Sequence, residues 1–196
     1  MKSVFNFIIK PKNKRYSNSK KVGDKELILN TDNYQHKFVS REAEVISTPT
    51  AFDTDIKVGD TILVHHNVFR RWKDIKGVEQ NSRAYYKDNM YFVFGDQVYA
   101  YKRNNKWHAI KGYCFVKPIL DNNIYSSEKE MPLVGIVKYS DGTVNEGDLV
   151  GFKPNSEFEF ILNNERLYRV LSKFITIKYE YQGNEEEYNP SWAKSS

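Results

Sequence analysis

Cysteine is nearly absent: Cys114 is the only one in 196 residues. A lone thiol excludes an internal disulfide framework and every cysteine-rich zinc motif. Long hydrophobic runs are missing as well. No stretch approaches the roughly 20 apolar residues that a membrane-spanning helix needs, and the opening Met1-Lys2-Ser3-Val4-Phe5 is too briefly apolar for a signal peptide. The expectation is a soluble, cytoplasmic protein with no membrane partner. Catalytic constellations are equally scarce. His36, His65, His66 and His108 show no metal-ligand spacing, and His65 and His66, as neighbours on a strand, should point to opposite faces. Cys114, beside Phe115, reads as a small buried apolar residue rather than a nucleophile. Glu185-Glu186-Glu187 reads as a solvated charge run. There is no phosphate-binding glycine loop and no Ser/His/Asp set. The sequence therefore predicts no catalytic residue, no metal site and no cofactor, and the chain is not expected to be an enzyme.

Aromatic residues are plentiful, with 14 Tyr and 12 Phe, and the charge is uneven. Residues 1–120 carry 22 Lys and Arg against 12 Asp and Glu, whereas residues 121–196 carry 8 against 13. A basic half suits nucleic acid or an acidic partner, or else exposed strand faces that need solubilising.

Helical periodicity is hard to find. Apolar residues alternate over short runs, separated by clusters of Gly, Asn, Asp and Ser, which is the pattern of strands and turns. Val4–Ile9, Glu44–Ile46, Thr61–Val64, Tyr113–Val116, Gly135–Val137, Leu149–Phe152, Tyr168–Leu171 and Phe174–Ile177 read as strands. Tyr91–Phe94 and Val98–Tyr101 flank Gly95-Asp96 and predict a hairpin. Strands this short and evenly spaced predict an all-β fold of small barrels or sandwiches.

The chain also repeats itself. Phe7-Ile8-Ile9-Lys10-Pro11 recurs as Cys114-Phe115-Val116-Lys117-Pro118, and Glu44-Val45-Ile46 as Gly135-Ile136-Val137. Ile56-Lys57-Val58-Gly59-Asp60-Thr61-Ile62 recurs as Val144-Asn145-Glu146-Gly147-Asp148-Leu149-Val150. Val93–Val98 recurs without a gap as Val170–Ile175. Four blocks in one order predict a tandem duplication, with domains at 1–111 and 112–183 and a flexible tail at 184–196. The Gly-Asp step has a physical reason, because Gly takes positive φ in a tight turn and Asp bonds its own backbone nearby.

The first copy carries about nineteen extra residues, most of them in a polar stretch from about 12 to 41. One apolar island lies in it, Leu27-Ile28-Leu29, preceded by Gly23-Asp24-Lys25-Glu26. Such an island on a loop marks a partner site, unless the segment is an ordinary edge strand of the barrel. A second insertion, about 70 to 89, is rich in Arg, Lys and Tyr.

Taken in order, these motifs resemble the GroES-like co-chaperonins, the ten-kilodalton chaperonin family, and in particular its divergent phage-encoded members. The family's "VIVKP" strand is matched by Phe7-Ile8-Ile9-Lys10-Pro11, and its loop tripeptide by Leu27-Ile28-Leu29 after Gly23. Its "GEV" strand is matched by Ala43-Glu44-Val45, and its "VKVGDxV" step by residues 56–62. Its closing strands look like Val98-Tyr99-Ala100-Tyr101 and Ile175–Glu180. The chain departs in having two copies where members usually have one, in the 70–89 insertion, and in a 47–55 segment too short for a roof hairpin.

The resemblance implies tandem GroES-like β-barrels that form a ring, expected to be a heptamer, and cap a GroEL-like chaperonin of host or phage. The client the resemblance implies is an unfolded protein inside the cage, a phage protein among them for phage-encoded members. Leu27, Ile28 and Leu29 are the expected chaperonin-binding residues and Gly23 the expected loop hinge. Two other readings compete. A virion structural or assembly protein could use the same barrels. Arg70-Arg71-Trp72-Lys73 and Arg83-Ala84-Tyr85-Tyr86-Lys87 interleave cations with aromatics as single-stranded nucleic-acid binders do, but the same string suits half-buried strands, and nucleic acid is not the expected partner.

Overall fold

Short alternating runs with turn residues between them do form strands throughout the computed structural model, which describes residues 2–16, 19–22, 25–28, 39–122, 129–180, 183 and 185–195. The fold is all-β, and its sheets are antiparallel. Among the described residues no helix is long and apolar enough to cross a membrane. The chain divides into two compact units, residues 1–106 and 107–196.

The first unit supplies β1 (Phe7–Pro11), β2 (Ser19–Val22), β3 (Lys25–Ile28), β4 (Glu42–Ser47), β5 (Thr61–Val64), β6 (Trp72–Lys73), β7 (Glu79–Gln80), β8 (Tyr91–Val93) and β9 (Val98–Arg103). The division falls inside β10 (Lys106–Ala109) rather than after residue 111. One six-stranded sheet runs β10-β9-β5-β4-β1-β8. The second unit holds β11 (Tyr113–Leu120), β12 (Glu130–Tyr139), β13 (Leu149–Phe152), β14 (Phe158–Leu162), β15 (Glu165–Leu171) and β16 (Ile175–Tyr179), in the order β14-β15-β11-β12-β13-β16. Thus β9-β5-β4-β1-β8 and β16-β13-β12-β11-β15 repeat one topology.

The repetition extends to details. β1 and β11 pair with β4 and β12 through Ile9↔Val45 and Val116↔Val137, each with a register shift one residue earlier. This register sets Ala43-Glu44-Val45 against Gly135-Ile136-Val137, one residue away from the expected match of Glu44-Val45-Ile46. The period of two explains the correction, since a one-residue slip exchanges faces: Val45 and Val137 are buried, whereas Ile46 is exposed. Gly59 and Gly147 take φ of 88° and 91°. Their N–H groups donate to Val45 O and Val137 O at 2.8 and 2.7 Å. Asp60 and Asp148 accept from the amides of Lys57 and Asn145 at 2.8 and 2.9 Å, and pair with Arg103 and Lys178. Burial works to raise the Asp60 carboxyl, but the bonds from Arg103 and the Lys57 amide outweigh it and hold it below the ordinary carboxylate range.

The expected hairpin at Gly95-Asp96 is not formed. β8 pairs with β1, and β9 with β5, four strand positions away. Gly95 does not adopt the positive φ of a tight hairpin turn; a 3-10 turn, Gly95–Gln97, joins the strands, with Gln97 Oε1 accepting the Phe94 amide at 3.2 Å. The second unit repeats this with a 3-10 turn at Ser172–Phe174, so Phe174 precedes β16 rather than opening it. In a flat sheet four steps of about 4.8 Å would separate the joined strands by about 19 Å. A 3-10 turn rises only about 2 Å per residue and cannot span that. Each sheet must therefore curl, bringing its ends together around an apolar interior. In the second unit that interior holds Val116, Val137, Val150, Phe152 and Val170.

Residues 185–195, expected as a flexible tail, are docked on the second unit. Leu120 N donates to Glu186 O, Tyr188 N donates to Pro118 O, and Ala193 is fully buried. Nor is Glu185-Glu186-Glu187 simply a solvated run, because Glu187 pairs with the buried Lys117 ammonium, which also meets Glu165. Burial alone would lower the Lys117 ammonium, and the two carboxylates raise it instead.

Candidate functional site

The connection from β1 to β4 leaves and rejoins the first sheet at a pinned base. Tyr16 and Val39 form an isolated antiparallel bridge, both are buried, and Ser40 N donates to Arg15 O at 2.8 Å. Beyond that base, β2 and β3 pair as Ser19↔Ile28, Lys20↔Leu27, Lys21↔Glu26 and Val22↔Lys25. They make a two-stranded sheet of their own and join neither six-stranded sheet. Two of the expected contact residues, Leu27 and Ile28, are therefore strand residues of a separate hairpin. Leu29 and the expected hinge Gly23 lie outside the described residues. The equivalent connection in the second unit, between β11 and β12, spans only 121–129.

The base is braced by the 70–89 insertion. Arg15 Nη2 donates to Phe69 O at 3.0 Å and Arg15 Nη1 to Asn81 Oδ1 at 2.8 Å. Its guanidinium lies 5.3 Å from the centre of the buried Tyr91 ring. Tyr16 OH accepts the Arg71 amide at 2.7 Å, and Arg71 Nη1 pairs with Glu79 at 2.7 Å. Phe69 packs edge-on against Tyr91 at 4.8 Å. Inside the insertion, β6 and β7 form a hairpin whose turn is held by Asp74, which accepts from the amides of Lys76 and Val78 at 2.9 Å. Residues 84–86 lie alongside β8: Tyr85 bridges to Tyr91, and Phe92 N donates to Ala84 O at 2.8 Å. The long loop thus emerges from a tightly bonded collar, a coupling that sequence spacing could not reveal because its partners lie more than fifty residues apart.

Other candidates resolve differently. His65 and His66 are not opposed across a strand. β5 ends at Val64, His65 caps a 3-10 turn with Nδ1 accepting the Asn67 amide at 3.1 Å, and the two rings stack with centres 4.2 Å apart. His36 lies outside the described residues. Among the described residues no group of three or more His, Cys, Asp or Glu could hold a metal ion. Cys114 is fully buried, as its neighbours suggested, yet its surroundings are polar. Its Sγ lies 3.3 Å from Ser172 Oγ, which donates to Asp141 at 2.8 Å, and Gly112 N donates to the same carboxylate at 2.7 Å. Burial favours the neutral Asp141 carboxyl, but bonds from Thr143, Gly112 and Ser172 prevail and keep it low. Cys114 Sγ also lies 3.8 Å from Asp141 Oδ1, so this cluster ties the 112, 141 and 172 turns together. The chain matches no model of a known protein family and is similar to no curated protein.

Proposed function

We propose that this protein is a co-chaperonin of the divergent phage-encoded, GroES-like type: a ring-forming lid that caps a chaperonin cage in the host cytoplasm and assists the folding of a client held inside. The observation that carries this reading is the β2–β3 hairpin, built on a connection that is longer in the first unit than in the second and, among the described residues, paired only with itself. A small hairpin of this kind is marginal alone, so it is suited to being ordered by a partner rather than by its own fold. The order of the repeated blocks supports the same family.

The work asked of such a protein is mechanical. Ordering a loop costs about 1–2 kcal/mol of backbone entropy per residue, so one loop binds weakly. Several linked copies bind tightly and still release together, because avidity multiplies weak sites. Leu27, Ile28 and Leu29 supply the apolar contact, with Gly23 as hinge.

The test is to mix the purified protein with a bacterial chaperonin and nucleotide and to look for capped particles by electron microscopy. Burial of Ile28 in an apolar groove is worth about 1.5–3 kcal/mol per loop, so Ile28→Ala is expected to abolish capping while shifting the melting temperature by only about a degree or two. An Ile28→Ala protein that caps like the parent moves the binding site elsewhere; one that unfolds readily makes this segment part of the core.

A further inference from the structure

Residues 70–89 hold six Lys and Arg against three Asp and Glu. Two of those acids are occupied locally, Asp74 by its own turn and Glu79 by Arg71. Arg70, Lys73, Lys76 and Arg83 have no ion pair among the described residues. Beside these cations three aromatic rings are held open to solvent. Trp72 is 48% exposed although its indole N–H is fixed to Asn81 O at 3.1 Å. Tyr85 is 37% exposed and braced edge-on by Tyr91 at 5.4 Å. Tyr86 leans on Phe92 at 4.9 Å. Ordinary packing would bury such rings, whereas here they are fixed and left uncovered.

Next to them an open groove of about 340 Å³ is lined by Arg15, Arg71, Glu79, Gln80, Asn81 and Tyr85. This volume lies at the small end of ligand pockets and suits a single nucleotide unit. Its lining offers an aromatic face, side-chain amides that both donate and accept, and one carboxylate. That set matches the edge of a base better than a phosphate, since Glu79 would repel an anion and can accept from an exocyclic amine. The groove is positive on balance, with the Arg15 and Arg71 guanidiniums against the one Glu79 carboxylate.

We propose that this face binds single-stranded nucleic acid, with a base entering the groove against Tyr85, a second ring platform at Trp72, and phosphates tracking Lys73, Lys76 and Arg83. Fixed aromatics interleaved with unpaired cations are what an unstacked strand requires, while a duplex offers no base face to Tyr85. The β2–β3 hairpin takes no part, so the site stands whether or not the protein caps a chaperonin.

The experiment measures fluorescence anisotropy of labelled oligo-dC and oligo-C of about twenty nucleotides against the full chain, between about 50 and 200 mM salt. Binding that weakens with salt is expected, and preference for one oligonucleotide identifies the sugar. Each neutralised phosphate contributes a slope of about 0.7 on single strands, so the combined K73A/K76A/R83A variant should flatten the log–log salt dependence by about two. Tyr85→Ala should weaken binding about ten-fold, and Tyr85→Phe should preserve it, which separates lost stacking from a misfolded insertion. No binding at low salt, equal binding to duplex DNA or to polyglutamate, or a Tyr85→Ala protein that binds like the parent would each overturn the proposal.

Discussion

At Gly135 a methyl group has nowhere to go. A Cβ there would lie 2.4 Å from Lys117 O and 2.7 Å from Val116 Cγ1, and the first of these belongs to the backbone of the adjacent strand. The equivalent position in the first unit is Ala43, fully buried and accommodated, so the same step holds a methyl group in one copy and has no room for it in the other. Gly135→Ala is expected to destabilise the protein by about 1–3 kcal/mol, the ordinary cost of overpacking a filled interior. Urea unfolding followed by fluorescence measures it, and an unchanged midpoint would mean that β11 and β12 can part freely. The identity of this glycine was legible in the repeat, but its partner was not: the match of Glu44-Val45-Ile46 to Gly135-Ile136-Val137 is as good in letters as the true one. Only burial on alternate faces, Val45 inside and Ile46 outside, decides between them.

Elements show a second limit of the letters. β1 and β11 share a Lys-Pro step, which ends β1 but not β11, and Lys10 is exposed whereas Lys117 is buried between Glu165 and Glu187. That burial depends on the C-terminal segment, which bridges to Ile119 through Glu187 and brings Trp192 to within 5.8 Å of the Arg166 guanidinium. Arg166 in turn bonds Glu130, Glu159 and Tyr168, and its amide donates to Asn189 at 3.2 Å. Three consecutive glutamates near a chain end give no periodic signal, because what recruits them is a lysine some seventy residues earlier. Removing residues 185–196 should cost about 2–4 kcal/mol, from two backbone hydrogen bonds, a buried lysine left with one carboxylate, and newly exposed apolar surface. Calorimetry of the shortened chain tests this, and a melting temperature equal to the parent's would make the segment an ornament. The misread hairpin at Gly95-Asp96 belongs to the same scale. Two strands separated by four residues look like neighbours in sequence, and only the curl of the sheet lets them connect without pairing.

For the whole molecule, the two copies of one topology end differently. In the first sheet β9 has β10 beyond it, whereas in the second sheet β16 is the last strand. Among the described residues its outer backbone groups have no strand partner, and most of its residues are exposed, among them Ile177 at 49% and Tyr179 at 39%. An edge with exposed apolar residues is a template for another chain, and proteins that stay monomeric blunt such edges. β16 has one cation, Lys178, and that is already paired with Asp148. Strand addition from this edge to a different edge of the next copy would join copies head to tail, the kind of contact that closes into a ring when its rotation allows. Sedimentation at tens of micromolar, in round numbers above the weakest specific associations, is expected to give a closed oligomer, a heptamer on the family resemblance. Ile177→Lys places a charge on the exposed edge with little cost to the fold, so it should yield a folded protein of monomer mass. That monomer keeps an intact β2–β3 hairpin, yet it should fail to cap a chaperonin, because the avidity of linked loops is gone. A monomeric parent would remove the ring. An Ile177→Lys protein that still assembles would move the contact to another edge, and one that caps as a monomer would show that a single loop binds far more tightly than its ordering entropy allows.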